Sequence, residues 1–430
     1  MPATVAAIAT PPGRGALAIV RITGPGTIEV IKKIFRGKTN PEHFKKSRVY
    51  FGEMVSGGRT IDMVGIAFYR GPESYTGEDM AEITCHGGGM VPELILEAIL
   101  SAGAGRAQPG EFTLRAFLNG KIDLAGAAGI NALSVVRTEK AHRAAMKRVS
   151  GETGRALAGL RDELVGLLSE CEARLDFPED VPGLDESDFR ARLSGLRCRI
   201  KAYLDSAGRA EALWDGVSVV IAGPPNAGKS TLFNALLGYE RAIVHHEPGT
   251  TRDYISETTE IAGYLVRLHD SAGTGEFSDT VNREAVSRSL RLAEKADIVL
   301  YLLEPGSAGD YPVGKNIVRV CSKSDLLAWP APEGTIPVSG LTGDGLEALS
   351  RELAARAAEI AGGEDALLDR ERGLLAEACA CLEEAERKGL GLEIIAEKLW
   401  EAGRAMDRLL GLDLPRDVIE GIFSKFCIGK

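Results

Sequence analysis

No apolar run in this 430-residue chain is long enough to cross a bilayer. No basic stretch precedes an apolar one near Met1, and Pro11-Pro12 interrupts the short Val5–Ala9 run, so a secretory leader is not expected. Cysteine is sparse and unpaired: seven residues, an odd count, with no CxxC spacing. That argues against a disulfide framework or a zinc site and for a reducing compartment, so a cytoplasmic location without membrane association is expected. A surplus of positive charge is also missing. The net charge of −10 offers no global attraction to nucleic acid, so any RNA contact has to be local. The rest is ordinary: 44% hydrophobic and 26% charged residues, with length for roughly two to four domains.

The most informative stretch is Gly223-Pro224-Pro225-Asn226-Ala227-Gly228-Lys229-Ser230-Thr231. Two glycines with four residues between them, then Lys and Ser, are the phosphate-loop pattern. Val217 to Ala222 before it is short, apolar and β-branched, which predicts a buried parallel strand. Thr231 to Leu237 after it has helical spacing. A strand that bends through glycine into a helix aims backbone N–H groups and a positive helix end at one point. Lys229 adds a full charge for the β- and γ-phosphates, and the Ser230 hydroxyl can ligate Mg²⁺. A glycine-rich surface turn would not supply strand, Lys-Ser and helix together.

Around this loop the chain changes character. The first part reads as α+β: strands are predicted at Leu17–Ile22, Val64–Phe68 and Ala81–Cys85, and a helix at Val91–Leu100. Three islands that join glycine to charge, Thr10–Gly15, Tyr75–Asp79 and Pro109–Lys121, read as turns on composition alone, with a binding site as the sharper alternative. Lys121 to about Ala212 is helical, as is the chain from about Leu346 on, so a nucleotide domain inserted into a helical one is expected. The division is 1–118 for the α+β domain, 119–213 with 350–430 for a discontinuous helical domain, and 214–349 for the insert. Arg137, Lys140, Arg143 and Lys147 share a helix face, read as a solvated basic face ahead of an RNA-contacting strip.

Within the insert, further elements follow in the order a Ras-like GTPase requires. Pro248-Gly249-Thr250-Thr251-Arg252-Asp253 offers Thr251 to complete a Mg²⁺ shell. A strand from Tyr264 to His269 ends at Asp270-Ser271-Ala272-Gly273, where Asp270 can hold Mg²⁺ through water and Gly273 can offer its N–H to the γ-phosphate. Strands at Ile298–Leu303 and Ile317–Val320 precede Ser322-Lys323-Ser324-Asp325. Asp325 can accept two hydrogen bonds from the guanine edge while the Lys323 stem covers the ring. Ser339-Gly340-Leu341 can meet the base through backbone N–H groups. An ATPase is the competing class, and the Lys-x-Asp pair favours GTP. Asn usually stands where Ser322 does, and a serine can make only part of its hydrogen bonds.

Several of these stretches together resemble one family. Asn226 in the loop, Gly249–Asp253, Tyr75–Asp79, Arg115–Lys121, Thr10–Gly15 and the terminal Phe426-Cys427-Ile428-Gly429-Lys430 are similar to the bacterial tRNA-modifying GTPases of the MnmE (TrmE) family, over almost the whole chain. The resemblance implies a multidomain α/β protein. Its parts are an N-terminal α+β domain that binds folate and dimerises, a helical domain, and an inserted Ras-like P-loop GTPase domain. It implies a homodimer that joins the flavoprotein MnmG, which carries FAD, in a heterotetramer acting on tRNA. The product is an aminomethyl or carboxymethylaminomethyl group at C5 of the wobble uridine, with 5-formyl- or methylenetetrahydrofolate as one-carbon source. Arg21, Glu82, Lys121 and Lys430 are the implied folate residues. K⁺ is the implied activating ion, held by the Asn226 side chain, the carbonyls of His245 and Glu247 and an oxygen of Thr250. Ala227, Gly228, His246, Pro248 and Gly249 complete the implied nucleotide contacts, and the G domains close face to face around the ion.

The chain departs from the family in places. Asn282 aligns where the family has a water-orienting acid, with Glu276 and Glu284 nearby. The thirteen residues between Leu303 and Ile317 hold three glycines and two prolines, which predicts a shortened crossover exposing part of one sheet face. Cys427 is a candidate nucleophile with no base beside it in sequence, and burial is the plainer reading. Two other functions stay open: a ribosome-assembly GTPase, and a folate-binding protein with a partly decayed GTPase domain, which Ser322 and Asn282 keep alive.

Overall fold

The computed structural model describes residues 3–45, 48–177, 185–224, 226–239, 241–242, 256–270, 296–303, 314, 316–326 and 331–429. The chain divides into two compact units. One is Met1–Asn131 with Arg148–Ala158 and Leu410–Lys430; the other is Ala132–Lys147 with Gly159–Leu409.

The first unit is built on alternating strands. β1 (Val5–Ile8), β2 (Leu17–Thr23), β3 (Phe35–Gly37), β4 (Val49–Ser56), β5 (Arg59–Tyr69), β6 (Met80–His86) and β7 (Gly105–Arg106) form one sheet in the order β3-β4-β5-β6-β2-β1-β7. Every second residue of β2, β5 and β6 faces a common core: Ala18, Val20 and Ile22; Val64, Ile66 and Phe68; Ala81, Ile83 and Cys85. α1 (Thr27–Ile34) and α2 (Val91–Ser101) cover that face with Val30, Ile31, Ile95, Leu96 and Ile99. On the opposite face Leu17 (64% exposed), Val49 (55%), Phe51 (76%) and Met63 (59%) stand in solvent. Apolar residues on both faces blur the two-residue alternation, which is why β4 was not legible and β5 read too short.

The Pro109–Lys121 island corrects the reading from composition: most of it is α3 (Glu111–Leu118), followed by α4 (Leu124–Ala132). α3 starts at Gly110, whose φ of 69° is left-handed. A Cβ there would lie 2.2 Å from the Phe423 carbonyl oxygen, so only glycine lets the C-terminal segment approach. That segment is locked by aromatics. Phe423 and Phe426 pack with Leu114, Leu124 and Ala127, their ring centroids 5.0 Å apart.

In the second unit, α5 (Glu139–Val149), α6 (Glu152–Asp176) and α7 (Glu186–Ser206) precede the short α8 (Ala210–Asp215). The Asp185 side chain caps α7, accepting from Ser187 N at 3.0 Å and Asp188 N at 3.1 Å. A second sheet follows: β8 (Val217–Ala222), β9 (Arg241–Ala242), β10 (Ser256–Ile261), β11 (Tyr264–Asp270), β12 (Ile298–Leu303), β13 (Ile317–Cys321) and β14 (Ile336–Pro337). Its order is β14-β13-β12-β8-β11-β10-β9, parallel from β14 to β11 and antiparallel beyond. α9 (Lys229–Tyr239) follows β8. α10 (Leu346–Ala361), α11 (Asp369–Ala385) and α12 (Leu392–Leu410) return the chain to helix, and α13 (Arg416–Phe423) closes it. The chain enters and leaves the sheet region side by side: Arg209 N donates to Ile360 O and Leu367 N to Gly208 O, both at 2.9 Å. Most of the expected short crossover lies outside the described residues. Among the described residues no helix is long and apolar enough to cross a membrane.

Phe423→Ala should cost about 3–5 kcal/mol in urea unfolding, because its ring is 1% exposed and leaves a cavity among other rings. An unchanged midpoint would show that the C-terminal aromatics do not hold that unit together.

Candidate functional site

β8 is where the strand order reverses, with β12 on one side and β11 on the other. In an open parallel sheet the crevice beyond that reversal, at the carboxyl ends of the strands, is where ligands dock. The loop after β8 fits the space closely. A Cβ on Gly223 (φ 148°) would meet the Leu302 carbonyl oxygen at 2.8 Å. Asn226 takes a left-handed φ of 63°, a conformation asparagine tolerates better than most side chains. Ala227 is fully buried, and Lys229 opens α9.

The Lys229 amine donates to the carbonyls of Gly223 (3.2 Å) and Pro224 (2.8 Å). Burial pushes it below the usual lysine range, against the pull of the Asp270 carboxylate. Ser230 Oγ donates to Asp270 Oδ2 at 2.8 Å, and Asp270 at the end of β11 is 3% exposed. A hydroxyl and a carboxylate in contact are hard oxygen donors, so this pair fits Mg²⁺. Asn226 adds an amide oxygen suited to K⁺. His245, His246, Glu247, Pro248, Gly249, Thr250, Thr251, Ser271, Ala272, Gly273, Asn282, Glu276 and Glu284 lie outside the described residues.

Of the residues expected to meet a base, Lys323 lies along this loop and Gly340 against α9. Lys323 has a φ of 54°, and its Cε lies 4.0 Å from where a Cβ on Gly228 would stand, so its stem runs along the loop. Asp325 is exposed in the turn Ser324–Leu326. Ser339 Oγ accepts from Leu341 N (3.3 Å) and Thr342 N (3.1 Å), and Leu341 is 81% exposed. Gly340 packs on the N-terminal turn of α9, where a Cβ would lie 3.1 Å from the Thr231 carbonyl carbon. Ser322 does not share in this. It is buried, and both its N and its Oγ donate to the Leu303 carbonyl at 3.0 Å.

A second constellation sits in the first unit. Arg21 and Glu82 are cross-strand partners on β2 and β6. Arg21 Nε and Nη2 both donate to Glu82 Oε1, at 3.1 and 2.6 Å, and Nη1 donates to the Gly429 carbonyl at 3.0 Å. The Tyr69 hydroxyl reaches Glu82 Oε2 at 3.4 Å. The Arg21 guanidinium lies 5.6 Å from the Phe112 ring and 5.8 Å from Tyr75. A cation, a carboxylate and aromatic walls suit a ligand with an anionic end and a hydrogen-bonding ring. Lys121 instead donates to the Pro72 carbonyl at 3.0 Å, and Lys430 is outside the described residues. Cys427 is exposed rather than buried, its carbonyl accepts from Gly110 N at 3.3 Å, and no described base is bonded to its thiol.

Sequence reading missed Tyr69, Phe112 and the Gly429 carbonyl as neighbours of Arg21. Phe112 and Tyr75 lay inside islands already marked by glycine and charge. Those islands brace each other: Tyr75 to Thr113 at 2.9 Å, Glu78 to Arg115 at 3.0 Å, and the Thr76 carbonyl to Asn119 at 2.7 Å. The basic helix face is solvated, as read. Arg137 precedes α5 and is exposed, and the other three stay at the surface, as a solvated face requires, while each meets a partner there. Lys140 lies 3.8 Å from the Tyr264 ring centroid, Arg143 pairs with Glu364, and Lys147 with Asp365.

Residues 4–121 match the family model described as the N-terminus of GTP-binding protein TrmE, and residues 124–427 the MnmE helical domain. A tRNA modification GTPase MnmE of Thermus thermophilus is 38% identical over 432 residues, 99% of each chain. That of Azoarcus sp. is 38% identical over 449 residues, covering 100% of this chain and 98% of the relative. The G domain of the T. maritima FeoB iron transporter is 26% identical over 33% of this chain and 98% of its own, at a TM-score of 0.26, too low to argue from.

Lys229→Met should separate nucleotide binding from folding. Since the folded amine titrates below its unfolded range, its charge is a burden at neutral pH that is relieved as pH rises through the folded value. Without nucleotide the variant should therefore melt at the same or a higher temperature, while the thermal shift given by GTP disappears. A retained GTP shift would remove Lys229 from the phosphate site.

Proposed function

The chain belongs to the MnmE (TrmE) family of tRNA modification GTPases, and on that premise we propose how its two constellations divide the work. It hydrolyses GTP in the service of tRNA modification. The observation that carries the reading is the contact of Ser230 with Asp270 at 2.8 Å beside Lys229, at the strand reversal of a parallel sheet.

In this proposal the loop N–H groups and Lys229 bind the phosphates, Ser230 and Thr251 hold Mg²⁺, and Asp270 fixes the hydroxyl of Ser230 and orients the metal's water. Asn226, with oxygens of His245, Glu247 and Thr250, holds K⁺. Bound there, the two cations neutralise charge that develops on the phosphates during cleavage. Ser271, Ala272 and Gly273 border the γ-phosphate, and Asn282 stands at the water-orienting position. Lys323, Asp325 and Ser339–Leu341 read guanine. In the first unit Glu82 bonds the pterin edge of a tetrahydrofolate, while Lys121 and Lys430 meet its anionic tail. Arg21 holds Glu82 through Oε1, and Oε2, which also accepts from the Tyr69 hydroxyl, keeps a second lone pair for the ligand.

The finer reaction is the addition of an aminomethyl or carboxymethylaminomethyl group at C5 of the wobble uridine, in a heterotetramer with the FAD-bearing MnmG. The exposed face of Leu17, Val49, Phe51 and Met63 supports the homodimer, because a second copy would take that apolar surface out of water. The domain division is 1–118, 119–213 with 350–430, and 214–349. The paired entry and exit strands at Arg209 and Leu367 support one point of insertion. A cytoplasmic location fits unpaired cysteines and a tRNA substrate.

Two measurements test this. GTP turnover should be faster in potassium than in sodium, and Asn282→Glu should raise the potassium rate about tenfold or more, since a carboxylate polarises the attacking water as an amide does not. Equal rates in both salts would remove the potassium assignment, and an unchanged Asn282→Glu would move the water-orienting role elsewhere. Glu82→Ala should weaken 5-formyltetrahydrofolate binding by about 10- to 100-fold, the usual cost of a charged hydrogen bond, with GTP turnover kept. Unaltered folate affinity would refute the pocket.

A further inference from the structure

The charge of this chain is unevenly placed. Eight Lys and Arg fall between residues 32 and 59, against two acidic residues, in a protein whose net charge is −10. The structure places four of them, Arg36, Lys38, Lys45 and Arg48, on or beside one edge of the first unit's sheet. β3 is the edge strand, with β4 its only sheet neighbour among the described residues. Arg36 stands on β3, Lys38 follows it, and Lys45 and Arg48 precede β4; all four are exposed. Phe44 fixes where Lys45 sits: its ring stacks on Tyr50 at 3.9 Å, and Lys45 N donates to the Tyr50 hydroxyl at 2.6 Å. Arg36 lies opposite Glu53 and Arg48 just before Val49, so the charged strip runs about 17 Å along the edge at strand rise. A cleft of about 380 Å³ closes the turn end, with Lys33, Arg36, Ser56, Gly57 and Gly58 in its wall.

The acids near the strip have partners of their own. Glu42 pairs with Lys32, and Glu53, across from Arg36, accepts from Thr60 Oγ1 at 3.1 Å. Arg36, whose Nη1 also donates to the Phe35 carbonyl at 3.3 Å, Lys38, Lys45 and Arg48 thus present exposed charge along one edge, unlike Arg143 and Lys147, which are paired with Glu364 and Asp365. A row of cations on a rigid strand edge matches the row of phosphates on a nucleic-acid strand, and such contacts position a substrate without reading its sequence. Lysines on an edge strand also deter edge-to-edge aggregation, and that role alone would account for one or two of them. It does not account for two more placed before β4, beyond the edge strand itself.

We infer that this edge binds the sugar-phosphate backbone of tRNA, with Arg36, Lys38, Lys45 and Arg48 as phosphate contacts. The inference rests on tRNA being the substrate, as proposed above. The test is fluorescence anisotropy of an unmodified tRNA transcript with the full chain, alone and with its flavoprotein partner, between about 50 and 200 mM salt. The variant neutralises Arg36, Lys38, Lys45 and Arg48 to Gln together. A control neutralises Lys201, Arg351, Arg387 and Lys388, equally exposed cations elsewhere.

The edge variant should lose affinity by tenfold or more at the lowest salt, and its log–log salt slope should fall by about 3, close to 0.7–0.9 per lost contact. The control should lose far less. Unchanged GTP turnover shows that both variants fold. Equal losses in the edge variant and the control would overturn the inference. So would aggregation of the edge variant with its tRNA affinity intact, or loss of flavoprotein binding alone. Failure of the wild-type chain to bind tRNA in either setting would overturn the substrate reading itself, and the inference with it.

Discussion

The second unit depends on one strand that is hydrogen-bonded on both edges. β8 runs parallel to β11 and to β12, and its six residues carry nothing but apolar chains and one serine. Because its neighbours lie on opposite sides, a crevice opens past its end. Gly223 can enter that crevice only without a Cβ, and Asn226 accepts a left-handed turn there. The bend then delivers Lys229 and Ser230 to the first turn of α9. Asp270 arrives from the adjacent strand at matching height, since Asp270 is paired with Ile221 in the register. The Ser230–Asp270 contact is thus a consequence of strand register, and a one-residue slip between β8 and β11 would turn Asp270 to the other face.

The first unit depends on a contact between residues 408 positions apart. Arg21 reaches the Gly429 carbonyl, Gly110 admits the backbone of Phe423, and Gly429 itself has a φ of 87° with Ala9 Cα 2.7 Å from where its Cβ would stand. Both ends of the chain therefore meet at the Arg21–Glu82 pair. Neither partner of that pair is isolated in apolar surroundings: each keeps about a fifth of its side chain exposed, so desolvation is modest and the pair holds its charges ready for a polar ligand. Phe112 and Tyr75 supply the flat walls. Their positions are fixed through the brace of Glu78, Arg115 and Glu111, where Arg115 bridges two carboxylates at 3.0 and 2.7 Å.

Much of the nucleotide region was legible because its signals are local. β8 and β12 match their sequence readings residue for residue, since a short β-branched run bounded by glycine or proline has few other uses. The first unit was less legible. β4 carries apolar residues on both faces, and α3 hides within a stretch whose glycines and charges resemble a turn. The pairing of Arg21 with Glu82 is long-range, and no spacing rule connects residues 61 apart; only the family resemblance placed them together. Helical spacing put Lys140, Arg143 and Lys147 on one face but could not show their partners, Tyr264, Glu364 and Asp365, which lie far along the chain.

Ser322 shows what such a departure does to the chemistry. An asparagine there would offer both a donor and an acceptor; serine has one hydroxyl proton, and here it goes to Leu303 O. That hydroxyl doubles a bond the Ser322 backbone already makes, so it stitches β13 to the end of β12 and sets the position of Lys323. The carbonyl next to it in β12, Leu302 O, is the one that excludes a side chain at Gly223. The base loop and the phosphate loop are therefore anchored to neighbouring residues of a single strand. The brace survives the substitution, and in the nucleotide site proposed above polar recognition of the base would fall to Asp325 and to the backbone of Ser339–Leu341. A carboxylate placed to accept from N1–H and the 2-amino group of guanine would meet in adenine a ring-nitrogen lone pair and a C–H, neither of which donates a hydrogen bond to it. Discrimination of that kind rests on the penalty for leaving a charged acceptor unpaired, which is larger than the gain from any single added bond. In that proposed site, serine in place of asparagine would weaken total affinity for the base more than the choice between bases.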